Sequence, residues 1–233
     1  MQIKGFQETS FIDYPGKICS LVFLGNCNFR CPYCHNPDLI LGNIVDLDEE
    51  KIINFIIEKK KWIDGVCITG GEPSLHKDVI DFAKKLKEKG FLVKFDTNGT
   101  NPELLKELIK KKLVDFIAMD IKNPLKKYEE ITKTKVDVEK IKKSIELIKK
   151  SGNKKDGIDY EFRTTILPKH HNEKSLIEIA KDLKGAKKFV LQNFKTGRCL
   201  DETYNKEKSF SHDELMKFKE LVKDYFKEVE VRE

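Results

Sequence analysis

The chain has 233 residues, of which 36% are charged, and its formal net charge is +6. This length is sufficient for one sizeable hydrophobic core and lies within the range of a single α/β barrel domain. The positive charges are spread along the chain, which favours a solvated Lys/Glu surface over a nucleic-acid-binding face. No apolar run approaches the length of a membrane span, and the N-terminus lacks the apolar segment of a signal peptide. We therefore expect a cytoplasmic protein with no nucleic-acid or membrane partner.

Short apolar runs alternate with amphipathic stretches along the chain. The apolar runs predict six strands, and the stretches with one apolar face predict six helices, the last with Ser211 and Glu214 at the spacing of a capping box. The strands are predicted over residues 18–24, 65–69, 91–95, 114–119, 160–167 and 188–192, and the helices over residues 48–60, 76–89, 102–112, 138–150, 172–183 and 211–226.

Repeated strand–helix units imply parallel strands joined by right-handed crossovers. About six units are fewer than the eight that close a barrel. We therefore expect an α/β fold, a partial (β/α)6 barrel, with residues 1–233 forming a single domain.

Three cysteines follow the first predicted strand at the spacing C-x3-C-x2-C, namely Cys27, Cys31 and Cys34. Thiolates are soft ligands that suit iron–sulfur clusters or zinc. A four-iron cluster has four corners, which four thiolates usually supply. Three local cysteines would leave one iron open to bind another molecule.

Other interpretations of the cysteines are weaker. Zinc would need a fourth ligand, and adjacent residues such as Cys34 and His35 seldom both face one ion. The C-x-x-C-H pattern of covalent haem attachment belongs to exported proteins. A disulfide does not suit a chain of this size without a secretion signal. An iron–sulfur cluster is the interpretation that we favour.

Glycines and polar residues occur at or just past the carboxyl end of every predicted strand, where α/β barrels and open sheets build their sites. After the cysteines, these candidates are Gly70, Gly71 and Glu72, then Asp96 and Asn98, then Asp120 and Lys122, then Arg163 and Thr165, and finally Gln192 and Asn193.

Several of these candidates have a structural alternative. A glycine pair without Cβ atoms would let a ligand meet the backbone, or it is simply a turn before a helix. Asp120 and Lys122 alternate along a strand and so face the same way, as a site or as an ion pair. Asn98 fits an Asx turn. Arg163 would hold an anionic group or pair within the barrel.

The ordered blocks resemble the radical S-adenosylmethionine (SAM) enzymes. Within them the chain is most similar to the activating enzymes of glycyl-radical enzymes, such as those of anaerobic ribonucleotide reductase and pyruvate formate-lyase. The resemblance is carried by the cysteine motif and by the blocks Asp-Tyr-Pro-Gly (13–16), Thr-Gly-Gly-Glu-Pro (69–73) and Met-Asp-Ile-Lys (119–122).

The resemblance implies two cofactors, a [4Fe-4S] cluster on the three cysteines and SAM. It places the SAM amino group at the loop of Gly70, Gly71 and Glu72. It places the adenine near the segment of Tyr33, Cys34 and His35, and the ribose and carboxylate near Asp120, Ile121 and Lys122. Asp96, Asn98 and Arg163 are further candidates for SAM contacts.

The resemblance further implies reductive cleavage of SAM, followed by removal of hydrogen from a glycine Cα of a partner glycyl-radical enzyme. The electron would come from an external donor such as flavodoxin or ferredoxin. The Asp-Tyr-Pro-Gly block favours such an activase. The alternatives are a radical SAM enzyme acting on a small molecule, such as a 7-deazaguanine precursor, and a non-catalytic iron–sulfur protein.

The remaining cysteines and histidines are expected to be structural. Cys19 and Cys67 lie in apolar runs and should behave as small buried hydrophobes. Cys199 is isolated in a turn, and His170 and His171 are expected to form a solvent-exposed pair.

Overall fold

A computed structural model describes residues 1–42, 44–155 and 157–233. Its eight strands form one sheet in chain order, with β1 antiparallel to β2 and every later pair of neighbours parallel. The strands are β1 (Ile3–Ser10), β2 (Cys19–Leu24), β3 (Gly65–Gly70), β4 (Leu92–Thr97), β5 (Phe116–Asp120), β6 (Asp159–Ile166), β7 (Lys188–Asn193) and β8 (Glu228–Arg232).

Eight α-helices connect or flank these strands in the described part of the chain. They are α1 (Pro37–Leu41), α2 (Glu49–Glu58), α3 (Val79–Glu88), α4 (Pro102–Lys110), α5 (Tyr128–Thr132), α6 (Val138–Gly152), α7 (Glu173–Asp182) and α8 (His212–Val222). None of the described helices is both long enough and apolar enough to cross a membrane.

The predicted partial barrel is confirmed. The six predicted strands correspond to β2–β7, and the six predicted helices to α2, α3, α4, α6, α7 and α8. Within the described ranges no strand pairs with the outer edge of β1 or β8, so the sheet stays open. The predicted capping box is also present, since Ser211 and Glu214 each satisfy the other's backbone N–H at the start of α8.

The sequence missed the two edge strands and the two shortest helices. β1 is largely exposed or half-buried, and β8 is a charged run of five residues, so neither carries the apolar signal of a buried strand. The helices α1 and α5 have five residues each, too few to establish a helical period.

The inner face of the sheet is apolar near the amino ends of the strands. Tyr14, from the segment between β1 and β2, is 5% exposed, and its ring centroid lies 5.8 Å from that of Phe116. Cys19, Cys67 and Ala118 belong to the same buried cluster, which confirms the two cysteines as small buried hydrophobes. The Asp-Tyr-Pro-Gly block therefore lies at the opposite ends of the strands from the cysteine motif, and its tyrosine fills the floor of the barrel.

Replacing Tyr14 should test this assignment. Tyr14→Ala would leave a void beneath the sheet and should lower the free energy of unfolding by about 3 kcal/mol. Phe11→Ala, in the same segment but at a side chain that is 73% exposed, should change it by no more than about 0.5 kcal/mol. Chemical denaturation of both variants measures the difference, and equal effects would contradict a packing role for Tyr14.

Candidate active site

A cavity of about 330 Å³ opens at the carboxyl ends of the central strands, a size that suits a small-molecule ligand. Its wall is formed by residues 27–34, which we call the cysteine segment, and by the carboxyl ends of β3 to β7. It is lined by Cys27, Phe29, Cys31, Tyr33, Cys34, His35, Asn36, Ile40, Thr69, Gly70, Gly71, Glu72, Pro73, Asp96, Thr97, Asn98, Asp120, Lys122, Arg163, Thr165, Gln192, Asn193 and Lys195.

All but one of the candidate site residues line this cavity. The exception is Ile121, whose side chain is fully buried in the apolar core and whose backbone N–H donates to the Arg163 carbonyl at 2.8 Å. Its place in the Asp-Ile-Lys block explains this, because successive strand residues point to opposite faces of a sheet. The Ile121 side chain therefore points away from the cavity, although the resemblance placed it near the ribose and carboxylate of SAM.

The three motif cysteines are free thiols around one end of the cavity. Burial raises the pKa of Cys27 to about 12 and that of Cys31 to about 11, so metal binding must displace their protons. Among the described residues no three Cys, His, Asp or Glu side chains are arranged to hold a single metal ion. A four-iron cluster takes each thiolate on a different iron, so its cysteines need not converge on a single ion.

The glycine loop packs directly on the start of the cysteine segment. The Gly71 N–H donates to the Leu24 carbonyl at 2.9 Å, and the Glu72 N–H donates to the Asn26 carbonyl at 2.8 Å. A Cβ on Gly71 would lie 1.9 Å from the Asn26 carbonyl oxygen. We expected the missing side chain to make room for a ligand, but at this position it makes room for the backbone that leads to Cys27.

The Glu72 carboxylate is occupied by hydrogen bonds from other residues of the protein. It is 1% exposed and accepts hydrogen bonds from the Ser74 N–H at 3.0 Å, the Thr97 hydroxyl at 2.8 Å and the Asn98 N–H at 2.6 Å. Burial raises the pKa of Glu72 despite these donors. The side chain therefore ties the β3 loop to the end of β4, which leaves the backbone of the glycine loop as the part that can meet a ligand.

Five charged residues form an alternating series on the inner face of the sheet, which we call the charge ladder: Lys94, Asp96, Arg163, Asp120 and Lys122. Lys94 pairs with Asp96, and Arg163 bridges Asp96 at 3.1 Å and Asp120 at 2.5 Å. The Lys122 ammonium lies 3.0 Å from Asp120. Burial opposes ionisation of Asp120, but Arg163 and Lys122 hold its pKa far below the ordinary value.

The ladder unites the two alternatives that the sequence left open. Asp120 and Lys122 do form an ion pair, and Arg163 does pair within the barrel. Asp96, Asp120, Lys122 and Arg163 nevertheless all line the cavity. The ion pairs therefore hold these four charged side chains in place at the wall of the cavity, where a ligand can still reach them.

Asn98 has the predicted turn geometry. Its side-chain oxygen accepts the Thr100 N–H at 3.1 Å, and Gly99 has φ +78°, which a residue with a side chain rarely adopts. The Asn98 amide also donates to the side chain of Asn28 at 2.8 Å. Asn98 thus joins the β4 loop to the cysteine segment as well as lining the cavity.

Two aromatic residues flank Cys34. The Tyr33 hydroxyl is buried and, within the described residues, has no hydrogen-bond partner. The His35 ring is stacked on Phe194 at 5.3 Å, and its Nδ1 lies 3.1 Å from the Arg198 carbonyl oxygen. A buried hydroxyl without a partner beside a cavity is a group that a ligand can satisfy.

A segment after β7, residues 194–201, makes hydrogen bonds to the outer side of the cysteine segment. Sequence reasoning missed this contact. The Leu200 N–H donates to the Cys34 carbonyl at 2.9 Å, and the Asp201 N–H donates to the Pro32 carbonyl at 2.9 Å. Arg198 makes a two-pronged contact with Asp38 at 2.6 and 2.7 Å. No local pattern marks this segment, because its partners lie about 160 residues earlier in the chain.

The expectation that His170 and His171 form a solvent-exposed pair is wrong, because His170 is half-buried and His171 is buried. His171 is 2% exposed, and burial lowers its pKa to about 4. Its Nδ1 accepts the Leu167 N–H, and its Nε2 lies 3.1 Å from the Lys122 carbonyl oxygen. His171 therefore supports the strand end that carries Lys122. Cys199 is buried, 3.9 Å from His35, and is not among the cavity-lining residues.

Comparisons with known proteins agree with this geometry. A family model described as the radical SAM superfamily matches residues 21–183. A Methanocaldococcus jannaschii protein designated a glycyl-radical enzyme activating enzyme is 40% identical over 99% of this chain and 95% of its own length. The pyruvate formate-lyase-activating enzyme of Clostridium pasteurianum is 32% identical over 52% of each chain.

A solved structure supports the fold. Streptococcus suis SuiB bound to S-adenosylmethionine superimposes with a TM-score of 0.65 and 16% identity, covering 91% of this chain and 51% of SuiB.

The close packing at Gly71 generates a prediction. Gly71→Ala should displace the backbone before Cys27, and the protein should retain less than about half of the iron that the unmodified chain holds after anaerobic reconstitution. Gly197→Ala is the matched control, since a Cβ there would meet nothing within 4 Å. Iron analysis with circular dichroism checks the result, and full iron loading of the Gly71 variant would show that this contact does not position the cysteines.

Proposed function

The chain belongs to the radical SAM superfamily and, within it, to the glycyl-radical enzyme activating enzymes, and we propose that it generates a glycyl radical on a partner enzyme. Members of this family use a [4Fe-4S] cluster and S-adenosylmethionine. When bound and reduced by an external donor, the cluster would supply the electron for reductive cleavage of SAM into methionine and a 5′-deoxyadenosyl radical. The observation that carries the proposal is one cavity lined by three free cysteines, by Tyr33, whose buried hydroxyl has no partner among the described residues, and by four of the five members of the charge ladder.

The residues present fit both groups. Cys27, Cys31 and Cys34 would hold the cluster, because they are the only three cysteines that line the cavity within the described ranges. An unpartnered hydroxyl on Tyr33 and a charged wall suit a polar ligand that carries both an amine and a carboxylate. SAM has these groups.

The carboxylate of SAM would bind to the free donors of the ladder. Lys122 uses one contact for Asp120, which leaves donors of its ammonium for a ligand. Arg163 uses Nε for Asp120 and Nη2 for Asp96, which leaves Nη1 available. Because these cations are already held in place, they need not reorganise when the ligand binds.

The remaining candidates would shape the other end of the ligand. The backbone of Gly70 and Gly71 faces the cavity and would meet the SAM amino group. Tyr33 and His35 would lie along the adenine. Three further candidates would mainly hold the loops around the cavity in place, namely Asp96, Asn98 and Glu72. Their hydrogen bonds to other residues of the protein support this role.

The protein substrate would be a loop with an exposed glycine, since a glycine has no side chain and can enter a narrow site. The sheet is open between β1 and β8 in the described chain, which leaves room for such a loop. An external carrier such as flavodoxin or ferredoxin would supply the electron. The continuous core from Ile3 to Val229 supports a single domain.

Isotope transfer tests the proposed reaction. With reduced protein, SAM and the cognate glycyl-radical enzyme carrying deuterium at its glycine Cα, we expect deuterium in 5′-deoxyadenosine and a glycyl-radical signal in electron paramagnetic resonance. Cys31→Ala should abolish both, because the cluster loses a ligand. If 5′-deoxyadenosine instead takes up deuterium from a labelled small heterocycle, and no protein glycine exchanges, the activase proposal fails and the small-molecule alternative takes its place.

SAM binding tests the role of Lys122. Removing a partly buried charged donor should weaken SAM binding about tenfold to a hundredfold in Lys122→Met, while iron content stays at the level of the unmodified protein. Lys126→Met, at an exposed lysine four residues later, is the control. Equilibrium dialysis with labelled SAM measures both. Unchanged affinity in the Lys122 variant would remove this residue from the binding site.

A further inference from the structure

Lys94 is a buried lysine for which the proposed SAM site has no use. It lies on the inner face of β4, is 2% exposed and does not line the cavity. Its ammonium pairs with Asp96, lies 3.6 Å from the Cys67 sulfur and sits 5.9 Å from the centre of the Phe116 ring. Burying an ammonium among apolar groups is costly, so its presence calls for a reason.

The ammonium stays charged in this position. Burial disfavours the charged form, but Asp96 raises the pKa of Lys94 above its ordinary value. The charge ladder therefore contains three cations, Lys94, Arg163 and Lys122, against two carboxylates, Asp96 and Asp120, and its net charge is +1. Without Lys94 the other four members would be neutral.

The Lys122 end of the ladder lies at the same cavity as the cysteines. Lys122 lines the cavity together with Cys27, Cys31 and Cys34, where its ammonium is also held beside Asp120 at 3.0 Å. The ladder thus acts on the place where the cluster would lie. Reduction adds one negative charge to a cluster, so a net positive neighbour favours the reduced form.

We propose that Lys94, by balancing Asp96, keeps the charge ladder net positive and thereby raises the reduction potential of the cluster held by the three cysteines. This inference rests on the proposed function, because it assumes the cluster. It assigns to Lys94 an electrostatic role that acts through Asp96 and Arg163, without contact to SAM. Glu72, the other buried carboxylate at the cavity, is the same in every variant below and does not affect their comparison.

The experiment is a redox titration of the reconstituted protein in the absence of SAM, followed by electron paramagnetic resonance. Lys94→Gln keeps a hydrogen-bond donor for Asp96 but removes the charge. At the potential where half of the unmodified protein is reduced, the ratio of reduced to oxidised cluster in this variant should be about tenfold lower. Lys188→Gln is the control, since Lys188 pairs with Glu228 and Glu230 and does not line the cavity.

Two more variants separate charge from packing. Asp96→Asn alone makes the net charge of the ladder +2 and should raise the midpoint potential above that of the unmodified protein. Lys94→Gln combined with Asp96→Asn restores +1 and should return the potential to near its original value. If Lys94→Gln does not fold, the other two variants still test the inference.

The outcomes are distinguishable from failure of the proposed function. If the unmodified protein assembles no iron–sulfur cluster, the proposed function itself fails. If the cluster assembles but its potential is the same in Lys94→Gln, the inference is wrong. It is equally overturned if Asp96→Asn leaves the potential unchanged or lowers it, or if the combined variant stays as low as Lys94→Gln.

Discussion

Parallel pairing of the strands in chain order is the constraint on which the rest of the structure depends. Because β2 to β8 all run the same way, their carboxyl ends meet at one edge, and the segments that follow them are brought together there. Every second side chain of a strand faces the inside of the barrel. Along this inner face the side chains change from apolar at the amino ends of the strands to charged at the carboxyl ends. On β5 it passes from Phe116 and Ala118 at the apolar floor to Asp120 at the cavity.

The charged end of this inner face is stable only because each charge has a fixed partner. A buried carboxylate that lost its cation would be left uncompensated, at a cost of about 3–5 kcal/mol. Asp96 and Asp120 share Arg163, and the Glu72 carboxylate accepts three hydrogen bonds from the protein. The same pairs that make burial tolerable hold the charges rigidly around the cavity, which is the condition for an electrostatically preorganised site.

The sequence predicted the features that local patterns carry. Cysteine spacing, apolar runs and the position of polar groups after strands were enough to find the cavity and nearly all of its proposed residues. The sequence did not predict which way each residue of the glycine loop points. We therefore expected Gly71 and Glu72 to contact a ligand, whereas in the structure Gly71 packs against Asn26 and Glu72 accepts a hydrogen bond from Asn98. The sequence also missed contacts between distant segments, such as residues 194–201 on the cysteine segment, and it gave no reason to single out Lys94.

The most direct test of the account is Mössbauer spectroscopy of protein reconstituted with iron-57, recorded with and without SAM. Three cysteines around one cavity predict a four-iron cluster in which about one iron in four lacks a protein thiolate. We expect the signal of that one iron to change when SAM binds, while the signals of the other three remain. A spectrum in which no iron responds to SAM, or a protein that takes up zinc in place of iron, would contradict the account.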